Sequence, residues 1–209
     1  MNAELFATFL VAALIINFTP GPGMLFILAQ GLTGGSRAGR AAACGTATGM
    51  LVHTSAVALG LAAVLRAAPI AMDVLRFAGA AYLVWLAFQS LRKSELTPAT
   101  AGEAVPDRFG PVYVRGLVNN LTNPKILLFY LAFLPQFVDP SLGRQALQLF
   151  ALGLTMLLVG LVVDLSIGSG AVRVGRFLRR HRAANQWLPR FAGTAYGALA
   201  AGLILGAAT

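Results

Sequence analysis

Two long stretches without a charged side chain constrain this chain more than any other feature. No Asp, Glu, Lys or Arg occurs between Glu4 and Arg37, or between Arg40 and Arg66. Each gap exceeds the roughly 20 apolar residues that a helix needs to cross a bilayer. The composition agrees: 57% of the 209 residues are hydrophobic and 11% are charged, against about 25% charged in a soluble domain. The mean hydropathy is +0.75. The N-terminus lacks the basic region of a cleaved signal peptide, so the first apolar run reads as a retained helix.

The pattern predicts an all-α, polytopic membrane protein with one membrane domain over 1–209. Six spans are expected at about 4–31, 41–65, 69–91, 112–137, 145–170 and 187–208. The third is the least clean, with Asp73 and Arg76 near its start. A polar segment, 94–110, separates the halves. Arg173 to Arg182 reads as a basic connector. Twelve Lys and Arg residues fall in the first, third and fifth loops and three in the second and fourth. The positive-inside rule then puts the odd loops in the cytoplasm and both termini in the periplasm. The formal charge of +9 is thereby an orientation signal rather than a nucleic-acid footprint. Cys44 is the only cysteine, so no internal disulfide forms.

The chain also repeats itself. Asn17-Phe-Thr-Pro-Gly-Pro22 resembles Asn120-Leu-Thr-Asn-Pro-Lys125 at an offset of 103. Gly49-Met-Leu-Val-His53 resembles Gly160-Leu-Val-Val-Asp164 at 111, and Arg76-Phe-Ala-Gly-Ala-Ala-Tyr82 resembles Arg190-Phe-Ala-Gly-Thr-Ala-Tyr196 at 114. Repeat one covers about 1–93 and repeat two about 111–209. Three spans per unit force the second copy to enter from the opposite side, which makes the repeat inverted, a plan common among secondary transporters.

Each repeat breaks its first span. The residue before a proline is pushed out of the α region, and proline suits the first helical position. Thr19-Pro20 and Asn123-Pro124 therefore read as caps followed by new half-helices, starting at Pro20 or Pro22 and at Pro124. Broken helices at membrane depth occur where they are buried or line a wet cavity. Their N-terminal ends carry free N–H groups and receive anions. Gly21 lets backbone approach a ligand, so bulk there is expected to harm transport far more than bulk at Gly35 in the first loop.

Two charges lie deep in spans, Lys125 and Asp164. Such charges tend to be functional or paired. Either they pair with each other or each meets an opposite charge on a substrate. Asp164 shares a helix face with Gly160 and Gly168, where small residues let another helix come close. His53, its repeat counterpart, stacks with Gly45 and Gly49, and either carries a proton or is a hydrogen-bonded core residue. Asn17, Thr19, Asn119, Asn120, Asn123 and Gln136 are further polar candidates.

Asn17-Phe-Thr-Pro-Gly-Pro22 with Gly31, Gly39, Gly45, Gly49 and His53 resembles the N-terminal signature of the LysE/RhtB amino-acid exporter family. Phe77 to Leu86 and Asn120 to Gln136 extend the likeness to nearly the whole chain. The resemblance implies a bacterial inner-membrane exporter of amino acids or derivatives, such as lysine, threonine, homoserine or leucine.

The leading reading is a secondary exporter of a small zwitterion, with proton coupling. The carboxylate would meet the half-helix ends and Lys125, and the ammonium Asp164. No GxxxxGK[ST] loop for direct ATP drive occurs. The alternative is a divalent-metal exporter, which wants clustered His, Cys or carboxylate ligands. Two histidines and one cysteine argue against it. No cofactor, metal, enzymatic constellation or nucleic-acid partner is implied. Expected partners are the zwitterion and the lipid bilayer, with a homodimer left open.

Overall fold

Proline and glycine decide where the apolar runs become separate helices. The computed structural model describes residues 3–61, 69–92 and 109–205. Most of the 94–110 segment, and the ends of the second and sixth expected spans, lie outside the described residues. Seven α-helices occur among them: α1 Ala3–Phe18, α2 Pro22–Ala56, α3 Pro69–Arg92, α4 Phe109–Leu121, α5 Pro124–Leu128, α6 Gln145–Arg180 and α7 Arg182–Leu205. α2 ends in a π turn, Val57–Leu61, and α5 continues through a π turn, Phe129–Phe133, into a 3-10 turn, Leu134–Phe137.

Four described stretches are long and apolar enough to cross a membrane: Pro22–Gly60, Asp73–Arg92, Gln145–Arg180 and Ala183–Leu205. Ala3–Phe18 and Pro124–Phe137 are shorter apolar helices. The count differs from six for two reasons. The Pro/Gly breaks cut the first and fourth expected spans into short pieces, and helical hydrogen bonding runs on across the expected first loop.

That loop is nonetheless a reversal. Gly35 has φ 71 and ψ −175 inside α2, a left-handed φ that glycine adopts without a Cβ clash. Residues before and after it run in opposite directions along α6. Asn17, Gly31 and Leu32 meet Gly160, Gly168 and Gly175 in rising order, whereas Gly39, Met50 and Thr54 meet Gly168, Gly160 and Gly153 in falling order. Gly35 is therefore structurally committed and is no neutral comparison for Gly21.

Close approach depends on missing side chains. A Cβ on Gly168 would sit 2.5 Å from the Gly39 carbonyl oxygen, and one on Gly39 would strike the Gly168 backbone. Gly116 abuts the Ala42 backbone, and Gly45 the Tyr113 carbonyl. α2 thus lies between α6 and α4. On the other side, α3 and α7 pair antiparallel, with Gly79 against Leu203 and Gly193 against Leu91. Large apolar side chains cover the outside: Val74 is 62% exposed and Val162 66%. An aqueous surface rarely tolerates so broad an apolar belt, whereas lipid does.

α6 also outruns its expected end near 170. Its 36 residues span about 54 Å, against a hydrocarbon core of ~30 Å. No proline or loop residue stops it, and Arg179 and Arg180 in its last turn complement the helix dipole. Leu32 faces Gly175, Leu91 faces Gly193, and α7 begins directly after α6. Arg37, Arg40, Arg92 and the arginines of 173–190 consequently gather at one end of the bundle.

Substituting Gly39 or Gly168 with leucine should destabilise the protein by about 3 kcal/mol or prevent assembly. Gly170→Leu, with nothing within 4 Å of its Cβ position, should stay within about 0.5 kcal/mol. Thermal unfolding in detergent reads the difference, and equal midpoints would refute the glycine contact.

Candidate functional site

Both breaks close the same way. Thr19 donates its N–H and its hydroxyl to the Ile15 carbonyl at 2.9 and 2.5 Å. Thr122 donates both to the Val118 carbonyl at 2.9 and 2.8 Å. With its hydroxyl engaged on α1, Thr19 does not cap α2. That position belongs to Gly21, and the helix starts at Pro22.

The two new half-helices begin differently. Asn123 Oδ1 accepts the Lys125 N–H at 3.1 Å, and the Asn123 carbonyl accepts from Ile126 and Leu127. This end is closed by its own cap. No side chain caps α2 at Gly21, so the first-turn amides of Gly23 and Met24 have no helical acceptor.

Lys125 joins the breaks. It is 7% exposed, and its Nζ donates to the Ile16 and Thr19 carbonyls at 3.0 Å each. These are orphan carbonyls at the negative end of α1. Nζ also lies 5.3 Å from the Tyr196 ring centroid. The ammonium thus stands where the sequence alone allowed a carboxylate partner.

A cavity of about 40 Å³ opens beside it, room for a few waters. Of the residues singled out in the sequence, Asn17, Thr19, Gly21, Asn120, Asn123, Lys125 and Asp164 line it. Asp164 is half-buried, and its carboxylate makes no hydrogen bond or ion pair among the described residues. Lys125 and Asp164 share the cavity without touching. His53 stands behind the wall, its Nε2 3.4 Å from the Asn120 carbonyl. Pro124 is exposed. Gly45, Gly49, Gly160 and Gly168 lie at helix crossings, with Gly49 against Asn120 and Gly160 against Asn17 and Met50.

Pro20 and Pro22 line a second cavity, of about 80 Å³, with Gln89, Ser90 and Pro189 towards the basic end. Gly21 belongs to both cavities. Between them stands Tyr196, 2% exposed, whose hydroxyl donates to the Pro20 carbonyl at 3.4 Å. A Cβ on Gly21 would lie 3.3 Å from both Lys125 Nζ and Tyr196 Oη.

Sequence reasoning missed Tyr196 and the cavity residues Thr46, Met24 and Met50. Tyr196 ends the best-matching repeat segment, which was a usable signal. Thr46 carried none beyond standing one turn from Gly49. A wider concavity, about 580 Å³ between α1, Phe133–Phe137 and α7, has no charged side chain in its lining, and is a poorer place to bind a polar solute.

Long apolar helices packed around a small cavity with buried polar side chains define a multi-pass membrane protein. The chain belongs to the LysE type translocator family, whose description matches residues 14–206. It is 32% identical over 152 residues to the leucine efflux proteins of Salmonella choleraesuis and Salmonella paratyphi A, covering 73% of this chain and 72% of theirs. An uncharacterized membrane protein of Vibrio cholerae serotype O1 is 29% identical over 180 residues, 86% of each chain. No solved structure matches.

Lys125→Met should leave two buried carbonyls without a donor and cost about 3 kcal/mol. Asn123→Ala should cost about 1 kcal/mol through the lost cap. Unfolding in detergent without substrate measures both, and a Lys125→Met loss no larger than that of Asn123→Ala would contradict the anchoring role.

Proposed function

We propose that this protein exports a small zwitterionic amino acid, of the leucine kind, across the bacterial inner membrane. The observation that carries this is the cavity where the two breaks meet. It presents a cation at Lys125, an anion at Asp164 and the uncapped first-turn amides of α2. A substrate carboxylate would take the α2 amides and the remaining N–H of Lys125, and its ammonium would face Asp164. The leucine efflux relatives support the substrate class. Among the described residues no three His, Cys, Asp or Glu side chains gather, which favours the zwitterion over a metal ion.

Six spans in two inverted repeats fit the contacts. Gly49 packs on Asn120 and Gly160 on Asn17, the same contact in each direction between repeats. The matching glycines Gly79 and Gly193 both lie at the α3–α7 contact, against Leu203 and Leu91. The basic end would be cytoplasmic and both termini periplasmic. The second cavity, on that side, would be the entry. The central cavity is too small for an amino acid, so this is a closed conformation, and Tyr196 would have to move.

Proton entry can drive the cycle. A hundredfold outward gradient costs ~2.7 kcal/mol, and one proton gains ~2.3 kcal/mol per 100 mV. Asp164 is the proposed coupling group.

Leucine efflux from preloaded cells tests the proposal. Expression should accelerate efflux, and Asp164→Asn should reduce it on the order of tenfold or more while the protein remains in the membrane. Normal efflux by Asp164→Asn would remove the carboxylate from the mechanism. Reporter fusions after Arg180 should read cytoplasmic, and a periplasmic signal would invert the topology.

A further inference from the structure

The asparagines at the two breaks occupy matching places but differ in burial and in the bonds their side chains make. The oxygen of each sits by a glycine of the other half: Asn17 Oδ1 is 2.8 Å from a Cβ built on Gly160, and Asn120 Oδ1 is 2.7 Å from one on Gly49. Asn17 ties its Nδ2 to the Ala13 carbonyl at 2.8 Å and to Met156 Sδ at 3.1 Å. Asn120 is 2% exposed, and its Oδ1 has no partner.

Thr46 is a second exception on the same wall. Eight described threonines donate their hydroxyls to the carbonyl four residues back. Thr46 does not: it is 5% exposed and its Oγ1 is unpaired. Its neighbours Thr48 and Thr54 on the same helix both bond in this way, at 3.1 and 2.8 Å.

Unpaired buried oxygens are unfavourable unless a ligand supplies the donors. Asn120, Thr46 and Asp164 all line the central cavity. The Lys125 ammonium gives two of its bonds to the Ile16 and Thr19 carbonyls. An amide oxygen, a hydroxyl and a carboxylate around one small space match a compact group with several N–H donors and a positive charge.

We propose that Thr46 and Asn120 complete, with Asp164, a subsite for the primary ammonium group of the transported solute. The site thereby selects a free amino group. The inference rests on the proposed exporter function and adds two recognition residues to it.

Thermal unfolding of the purified full chain in detergent provides the test, because a bound ligand raises the midpoint. The probes are L-leucine, leucinamide (ammonium without carboxylate) and 4-methylpentanoate (carboxylate without ammonium). The wild-type midpoint should rise with leucine and with leucinamide. Thr46→Val should need about tenfold more leucinamide for the same rise, with its response to 4-methylpentanoate unchanged. Thr46→Ala, well suited to a helix, should behave the same, and Thr46→Ser should restore binding. Thr155→Val, which removes a hydroxyl away from the cavity, should match the wild type. An assembled Thr46→Val or Thr46→Ala with unchanged leucinamide response would overturn the subsite, as would equal weakening of both single-ended probes. Stabilisation by sodium over potassium that disappears in Thr46→Val would assign these oxygens to a metal cation and overturn it too. Wild-type protein that binds leucinamide selectively through Thr46 yet effluxes no amino acid would uphold the subsite and sink the exporter reading.

Discussion

The Lys125 ammonium on the carbonyl end of α1 is the contact on which the centre of this molecule depends. A helix that stops inside a membrane leaves carbonyls that lipid cannot satisfy. At Ile16 and Thr19 a cation from the second half supplies the donors, at the end of the helix where the dipole favours positive charge. The same bonds hold one break against the other. In the repeat alignment Lys125 corresponds to Pro22. Only one half therefore reaches across, and the resulting site is polarised from the start.

Other departures from symmetry fall in the same place. Thr19 and Thr122 make identical closures, yet Thr19 is buried and Thr122 exposed. Asn123 seals α5 while α2 is left uncapped. The breaks come together at the central cavity, which both Lys125 and Asp164 line. Tyr196 lines the neighbouring cavity that faces the basic end, and Gly21 lines both. The Tyr196 hydroxyl is held by a 3.4 Å hydrogen bond to Pro20, a weak contact by hydrogen-bond standards.

Glycine serves two distinct purposes. At Gly39 and Gly168 it permits backbone to touch backbone, so packing attraction can replace the hydrophobic drive that lipid abolishes between helices. At Gly35 it permits a left-handed φ that turns the chain around. A hydropathy profile sees neither. It also sees no end to α6, whose arginines remain helical past the expected boundary because nothing in their backbone chemistry opposes it.

Uncharged runs, prolines and repeated motifs are local properties, and they made the all-helical membrane class and the helix breaks near residues 20 and 123 legible in the sequence. The family resemblance was legible for the same reason. Which groups Lys125 meets was not. The sequence offered Lys125 only Asp164 or a substrate anion, whereas the carbonyls it meets lie more than 100 residues away. Thr46 looked like any other helical threonine, and only the structure shows it to be the one described threonine whose hydroxyl does not bond the carbonyl four residues back. Local sequence sets where a helix stops, whereas the partner of a buried polar group is whatever packing brings within 3 Å, and that is decided in three dimensions.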